Sequence, residues 1–209
     1  MEHVNEGELH MRSMRSYRRA AVAVALIAGS ALGSAAAQQG PTCFGKSATK
    51  IGSDGNNVIR GTNGADVIVT KDGDDTVYGL GGNDRICTGK GSDNLFGGGG
   101  DDRLTGDKGG DDLFGGQGAD RLLENTGHDD LFGGDGRDLL SGGDDGDSLS
   151  GEAGSDVLRG GSGADAISGG TSNDRLYGGV GGIDRDSLSG GSGTDFCNDG
   201  ENKESCEKK

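Results

Sequence analysis

The sequence predicts an all-β repeat protein made of short strands and glycine-rich turns. Three observations carry this. The chain repeats every nine residues from Gly52 to Asn198, with one longer unit. Within the units the sixth residue is acidic and the eighth aliphatic, with turn-forming glycines ahead of them. Apolar residues are also too few for a conventional core: there are 47 glycines and no tryptophan, and part of the 30% hydrophobic content lies in one run near the start. A short fixed period marks a stacked repeat, in which each unit buries its apolar residue against its neighbours.

The first element precedes the repeats. Arg12, Arg15, Arg18 and Arg19 lead into AAVAVALIAGSALG, and Ala35, Ala36 and Ala37 follow. Charged, apolar and small-residue regions in that order read as a secretory signal peptide over 1–37, cut after Ala37. The apolar run is shorter than the about 17–25 residues of a spanning helix, so no membrane insertion is expected. Met1, Met11 and Met14 all stand as starts, because the acidic stretch before Met11 is foreign to a leader. The reading makes the protein secreted.

Residues 38–51 are the expected N-terminal cap. They contain GPTCFGKS, residues 40–47, which fits the phosphate-loop pattern G-x-x-x-x-G-K-[ST]. That pattern holds phosphate only between a strand and a helix. Here the exported chain would begin just before the motif and turn glycine-dense after it, so nucleotide binding is not expected. The net charge of −15 disfavours nucleic acid and anionic membranes as partners and invites cations. Four cysteines stand toward the two ends of the repeats, Cys43 and Cys87, then Cys197 and Cys206, and allow three disulfide pairings. Cys43–Cys87 with Cys197–Cys206 is the favoured one, since it staples each end. A zinc site, the alternative, would have one histidine after cleavage, His128, and no C-x-x-C.

The array, 52–198, holds sixteen units, one of which (178–189) has twelve residues. The sixth position is Asn57 in the first unit and aspartate in the other fifteen: Asp66, Asp75, Asp84, Asp93, Asp102, Asp111, Asp120, Asp129, Asp138, Asp147, Asp156, Asp165, Asp174, Asp186 and Asp195. The eighth is Ile, Val or Leu until Cys197 in the last. The fourth is glycine except at Asp145 and Ser172. Residues 199–209 form the expected C-terminal tail.

This pattern resembles the G-G-x-G-x-D-x-U-x repeat of RTX (repeats-in-toxin, hemolysin-type) calcium-binding proteins. The resemblance implies a right-handed parallel β-roll of about eight coils, each 18 residues and two units long. It also implies multiple calcium ions between turns of units two apart, with Asp66 through Asp195 at the carboxylate position.

Elementary physics agrees. The neighbours of the eighth residue point to the opposite face of a strand, so only the eighth residues line the interior. One buried aliphatic side chain per nine residues is little return for ordering nine residues of backbone. Coils repeating at about 4.8 Å would also stack the carboxylates on one another. A hard cation between coils reverses the repulsion, and an irregular all-oxygen shell suits calcium better than magnesium.

Two surface features stand out. The turns of odd units, TKDG, TGKG, GDKG, ENTG and GGDD, lose glycines and place Lys90 and Lys108 at the third position. Either these side chains point into water, or this edge binds fewer or weaker ions. The ninth position of odd units reads Tyr78, Phe96, Phe114 and Phe132, one per coil on an outward face. This column either stabilises the sheet or serves self-association or a surface ligand. H-E-x-x-H and G-x-S-x-G are absent, and an enzyme is not expected. The reading is a calcium-dependent extracellular structural protein, with an adhesion or recognition module as the alternative.

Overall fold

The computed structural model describes residues 40–179, 186–198 and Cys206. The leader, 1–37, and most of the tail lie outside the described residues. The expected fold class holds. Among the described residues all regular structure is β, and two parallel sheets form a solenoid. Odd units make an eight-stranded sheet from Val58–Arg60 to Ser187–Ser189. Even units make a nine-stranded one that ends at Phe196–Asn198 and begins with Lys50–Ile51, just ahead of the array.

Pairing follows the 18-residue coil. Leu113 lies beside Leu95 and Leu131 in one sheet, and Leu122 beside Leu104 and Leu140 in the other. The long unit keeps register, since Ile167 still pairs with Leu188. Eighth-position residues from Ile68 to Leu176 are at most 2% exposed and form one continuous core. Ile59, Leu188 and Cys197 pack against its ends.

The strands differ from expectation in length. Short strands separated by turns were expected, yet mid-array strands such as Asp112–Gly118 and Asp130–Gly136 run to seven residues. Their pairing continues round the corner, through Gly116↔Gly134 and Gln117↔Asp135. Glycine permits this, because turns without side chains stack as closely as strands.

Glycine serves the fourth position for its left-handed backbone in most units: Gly100, Gly118 and Gly136 have φ of 116°, 134° and 143°. A Cβ on Gly118 or Gly136 would also strike the carbonyl oxygen of the fourth residue one coil earlier. The two departures, Asp145 (φ 78°) and Ser172 (φ 86°), are forced into the same region.

The phosphate-loop match is a β-hairpin. Thr42–Cys43 pairs antiparallel with Lys46–Ser47, and Phe44 and Gly45 turn with φ of 45° and 74°. Cys43 is buried and bonded to Cys87, Cα atoms 5.7 Å apart, which fixes the hairpin to the array. Cys197 bonds to Cys206, Cα atoms 5.4 Å apart. Both are the favoured pairings.

Left-handed backbone costs a residue with a Cβ about 1–2 kcal/mol, partly offset by the greater unfolded-state entropy of glycine. Ser172→Gly is therefore expected to stabilise the fold by up to about 1 kcal/mol, read as a higher thermal midpoint in saturating calcium. Gly118→Ala is expected to lower it.

Candidate metal centre

Each sixth-position aspartate sits where a turn meets a strand, so its side chain enters the edge of the solenoid rather than the solvent. The fifteen fall into two columns. Asp75, Asp93, Asp111, Asp129, Asp147, Asp165 and Asp186 follow one edge. Asp66, Asp84, Asp102, Asp120, Asp138, Asp156, Asp174 and Asp195 follow the other. From Asp75 to Asp174 they are at most 3% exposed.

The two carboxylate oxygens have different surroundings. Oδ1 accepts the backbone N–H of the aspartate one coil earlier: Asp84 N–H donates to Asp102 at 2.7 Å, Asp102 to Asp120 at 2.7 Å and Asp120 to Asp138 at 2.8 Å. The link runs unbroken to Asp186 on one edge and Asp195 on the other. Oδ2 of Asp75 through Asp174 is buried with no hydrogen-bond partner. It points at the first residue of its own turn. A Cβ on Gly115 or Gly151 would come within 2.5 Å of Oδ2 of Asp120 or Asp156. The first glycine of the repeat thus makes room for the carboxylate, and the fourth supplies the turn.

Buried oxygens aligned in this way resist ionisation. Burial pushes the carboxyls from Asp84 to Asp174 up, against the pull of the N–H bond to Oδ1, and repulsion from neighbouring carboxylates adds to the rise. Asp102, Asp111, Asp147 and Asp156 rise to about 7, and Asp120 and Asp138 to about 6. The first aspartate is different. Burial pushes Asp66 up, but hydrogen bonds from Thr62 and the Lys50 ammonium, 3.3 Å from Oδ1, hold it below the usual carboxylate range. Lys50 caps the even column with a fixed positive charge. Asn57 starts the odd column, giving both its backbone and side-chain N–H to Oδ1 of Asp75.

Lys90 and Lys108 point into water, and Lys90 pairs with Asp72 at 2.8 Å. What distinguishes this edge is the first position, where Thr70, Thr88 and Glu124 stand buried in place of glycine. Thr88 Oγ1 donates to the Gly106 carbonyl at 3.2 Å. Glu124 turns inward beside Asp111 and Asp129, with one oxygen of each within 4.8 Å of the others. Burial and repulsion from these two raise Glu124 to about 9 despite the N–H bonds it accepts from Gly106 and Asp107. The sequence reading counted Glu124 only as a lost glycine; a carboxylate at a first position was the available signal. His128 is exposed, its Nδ1 2.8 Å from the Gly146 carbonyl.

Orphaned, buried carboxylate oxygens in a dry cradle fit a hard, oxygen-seeking divalent cation. Comparison with known families agrees with the geometry. The model of the RTX calcium-binding nonapeptide repeat, four copies long, matches residues 51–86, 88–122, 125–158, 150–182 and 180–198. No curated relative matches the chain.

The raised carboxyls set a pH dependence. In the unfolded chain an aspartate titrates near about 3.9. The metal-free fold keeps protons up to about 6–7 on the residues named above, so it binds more protons than the unfolded chain in between. Its stability is complete below the unfolded value and is lost as pH rises through the folded ones. Metal-free protein is expected to be β-rich near pH 4 and to lose that signal toward pH 7, as far-ultraviolet circular dichroism would record. Stability that increased over this range would contradict the assignment.

Proposed function

Because the chain belongs to the RTX calcium-binding nonapeptide-repeat family, we propose that it is a secreted structural protein whose folding is coupled to calcium. The observation that carries this is the run of buried, unpartnered Oδ2 atoms from Asp75 to Asp174. Asp66 through Asp195 are the proposed carboxylate ligands, completed by turn carbonyls. Calcium at these positions neutralises the columns, and binding to the folded state alone adds directly to stability. Secretion is supported by the leader-like segment 1–37 and by two disulfides, which persist in oxidising compartments. Extracellular calcium modules bind with a Kd of about 10⁻⁴–10⁻³ M, the range in which such repeated weak sites fill. The proposal assigns the protein no catalytic role.

A second reading rests on the aromatic column. Tyr78, Phe96, Phe114 and Phe132 stack with ring centroids 4.9–5.0 Å apart and planes within 9° of parallel. Arg60 lies over the Tyr78 ring at 5.0 Å, extending the stack. Ring faces so covered mainly stiffen the sheet, each contact being worth about 0.5–1.5 kcal/mol. Their half-buried edges form the strip that self-association or a recognition function would use.

Chelator is expected to leave the exported chain largely disordered at neutral pH. Millimolar calcium is expected to restore β structure and equal magnesium to fail, in both oxidised and reduced protein. A cooperative melt that survives excess chelator at neutral pH would refute the coupling.

Replacing Phe96 and Phe114 with Ser separates the two uses of the column. A lower calcium-dependent melting point with unchanged association and adhesion supports the stabilising role. Unchanged melting with loss of association or adhesion supports recognition.

A further inference from the structure

The first position of the repeat is glycine in thirteen units, threonine in two and a carboxylate only at Glu124. Glu124 is 6% exposed, and its side chain reaches back one coil. Its Oε1 accepts the Gly106 N–H at 2.5 Å and its Oε2 the Asp107 N–H at 3.0 Å. The next residue holds the same place, since Asn125 Nδ2 donates to Asp107 Oδ1 at 2.7 Å. The sheet records the insertion. Pairing between these coils stops at Leu104↔Leu122, whereas the coils on either side also pair their ninth residues, Cys87↔Thr105 and Leu123↔Ser141. Glu124 takes the Gly106 N–H for its own carboxylate.

This brings three buried carboxylates together on one edge. One oxygen each from Glu124, Asp111 and Asp129 lies within 4.8 Å of the other two. A second observation points to a ligand. Oδ2 of Asp111 and Oδ2 of Asp129, in residues 1% and 2% exposed, have no hydrogen-bond partner. Oδ2 of Asp111 lies against Gly106, the residue whose N–H Glu124 holds. No ion pair reaches the three: among the described residues the ion pairs are Lys50–Asp66, Lys71–Asp54 and Lys90–Asp72, and the exposed His128 acts on Asp129 without pairing with it.

We propose that Glu124, Asp111 and Asp129 form a distinct three-carboxylate site that takes calcium more tightly than the turns beginning with glycine or threonine. The inference rests on the calcium reading above and goes beyond it by ranking one position over the rest. Its physical basis is ligand charge, which together with rigidity sets calcium affinity in oxygen sites. Filled first, this site clamps the two coils at the middle of the odd edge.

The test is a calorimetric titration of the full chain with calcium chloride, alongside E124Q and E124G. Wild type is expected to show a tight step of about one ion, with a Kd about tenfold or more below the remaining steps. Both variants are expected to lose that step and keep the weaker ones. E124G restores the residue usual at this position, so it carries the test if E124Q fails to reach the wild-type circular dichroism spectrum in saturating calcium. A purely structural role for Glu124 would shift melting while leaving the tight step in place, and that result overturns the proposal. So does an extra ion bound by E124G, which would show that the glutamate fills an ion's place. If wild type takes up no calcium, the calcium reading falls and this site with it. If it binds calcium and the variants titrate identically, only the special site falls.

Discussion

The structure depends on a carboxylate whose two oxygens sit in different environments. Oδ1 ties each coil to the one before through a backbone N–H, as Asp120 does for Asp102 at 2.7 Å. Oδ2 of the same group is held in a dry cleft with no partner. An unpartnered anion inside a protein is costly, so it either takes a proton or recruits a cation. The rest of the repeat serves this arrangement. The first glycine gives the carboxylate room, the fourth glycine turns the chain, and the eighth residue anchors the strand in a thin core shared by the two sheets.

That division of labour explains why folding and ion binding are one event in this account. The core from Ile68 to Leu176 is fully buried but narrow. It is flanked on both edges by acids whose burial disfavours ionisation. Protons relieve the edges in acid, and the proposed calcium would relieve them at neutral pH. The ends show the same need in another form. Lys50 brings an ammonium to the first aspartate of the even column, and Asn57 starts the odd column without a charge. The hairpin at Cys43 and the tail at Cys206 are fixed covalently, where stacking has a neighbour on only one side.

Most of the fold and both carboxylate columns were legible in the sequence. Translation by 18 residues brings chemically equivalent side chains together, so the period alone places Asp102 beside Asp84 and Asp120, and Phe96 beside Phe114. Features set by geometry within a turn were not legible. Glu124 read as a missing glycine, because the direction of a first-position side chain depends on how the corner curves. Lys90 and Lys108 drew notice as basic residues near acidic columns, yet the third position faces water. Strand length was underestimated because glycine-rich stretches read as turns, although here they pair round the corner.

Crystals grown in calcium and measured for anomalous scattering would show whether ions occupy the two aspartate columns. Two rows of calcium peaks are expected beside the Oδ2 atoms of the columns, repeating with the coils at about 4.8 Å. A fully ordered solenoid at neutral pH with no ion beside Asp102, Asp120 or Asp138 would contradict calcium-coupled folding.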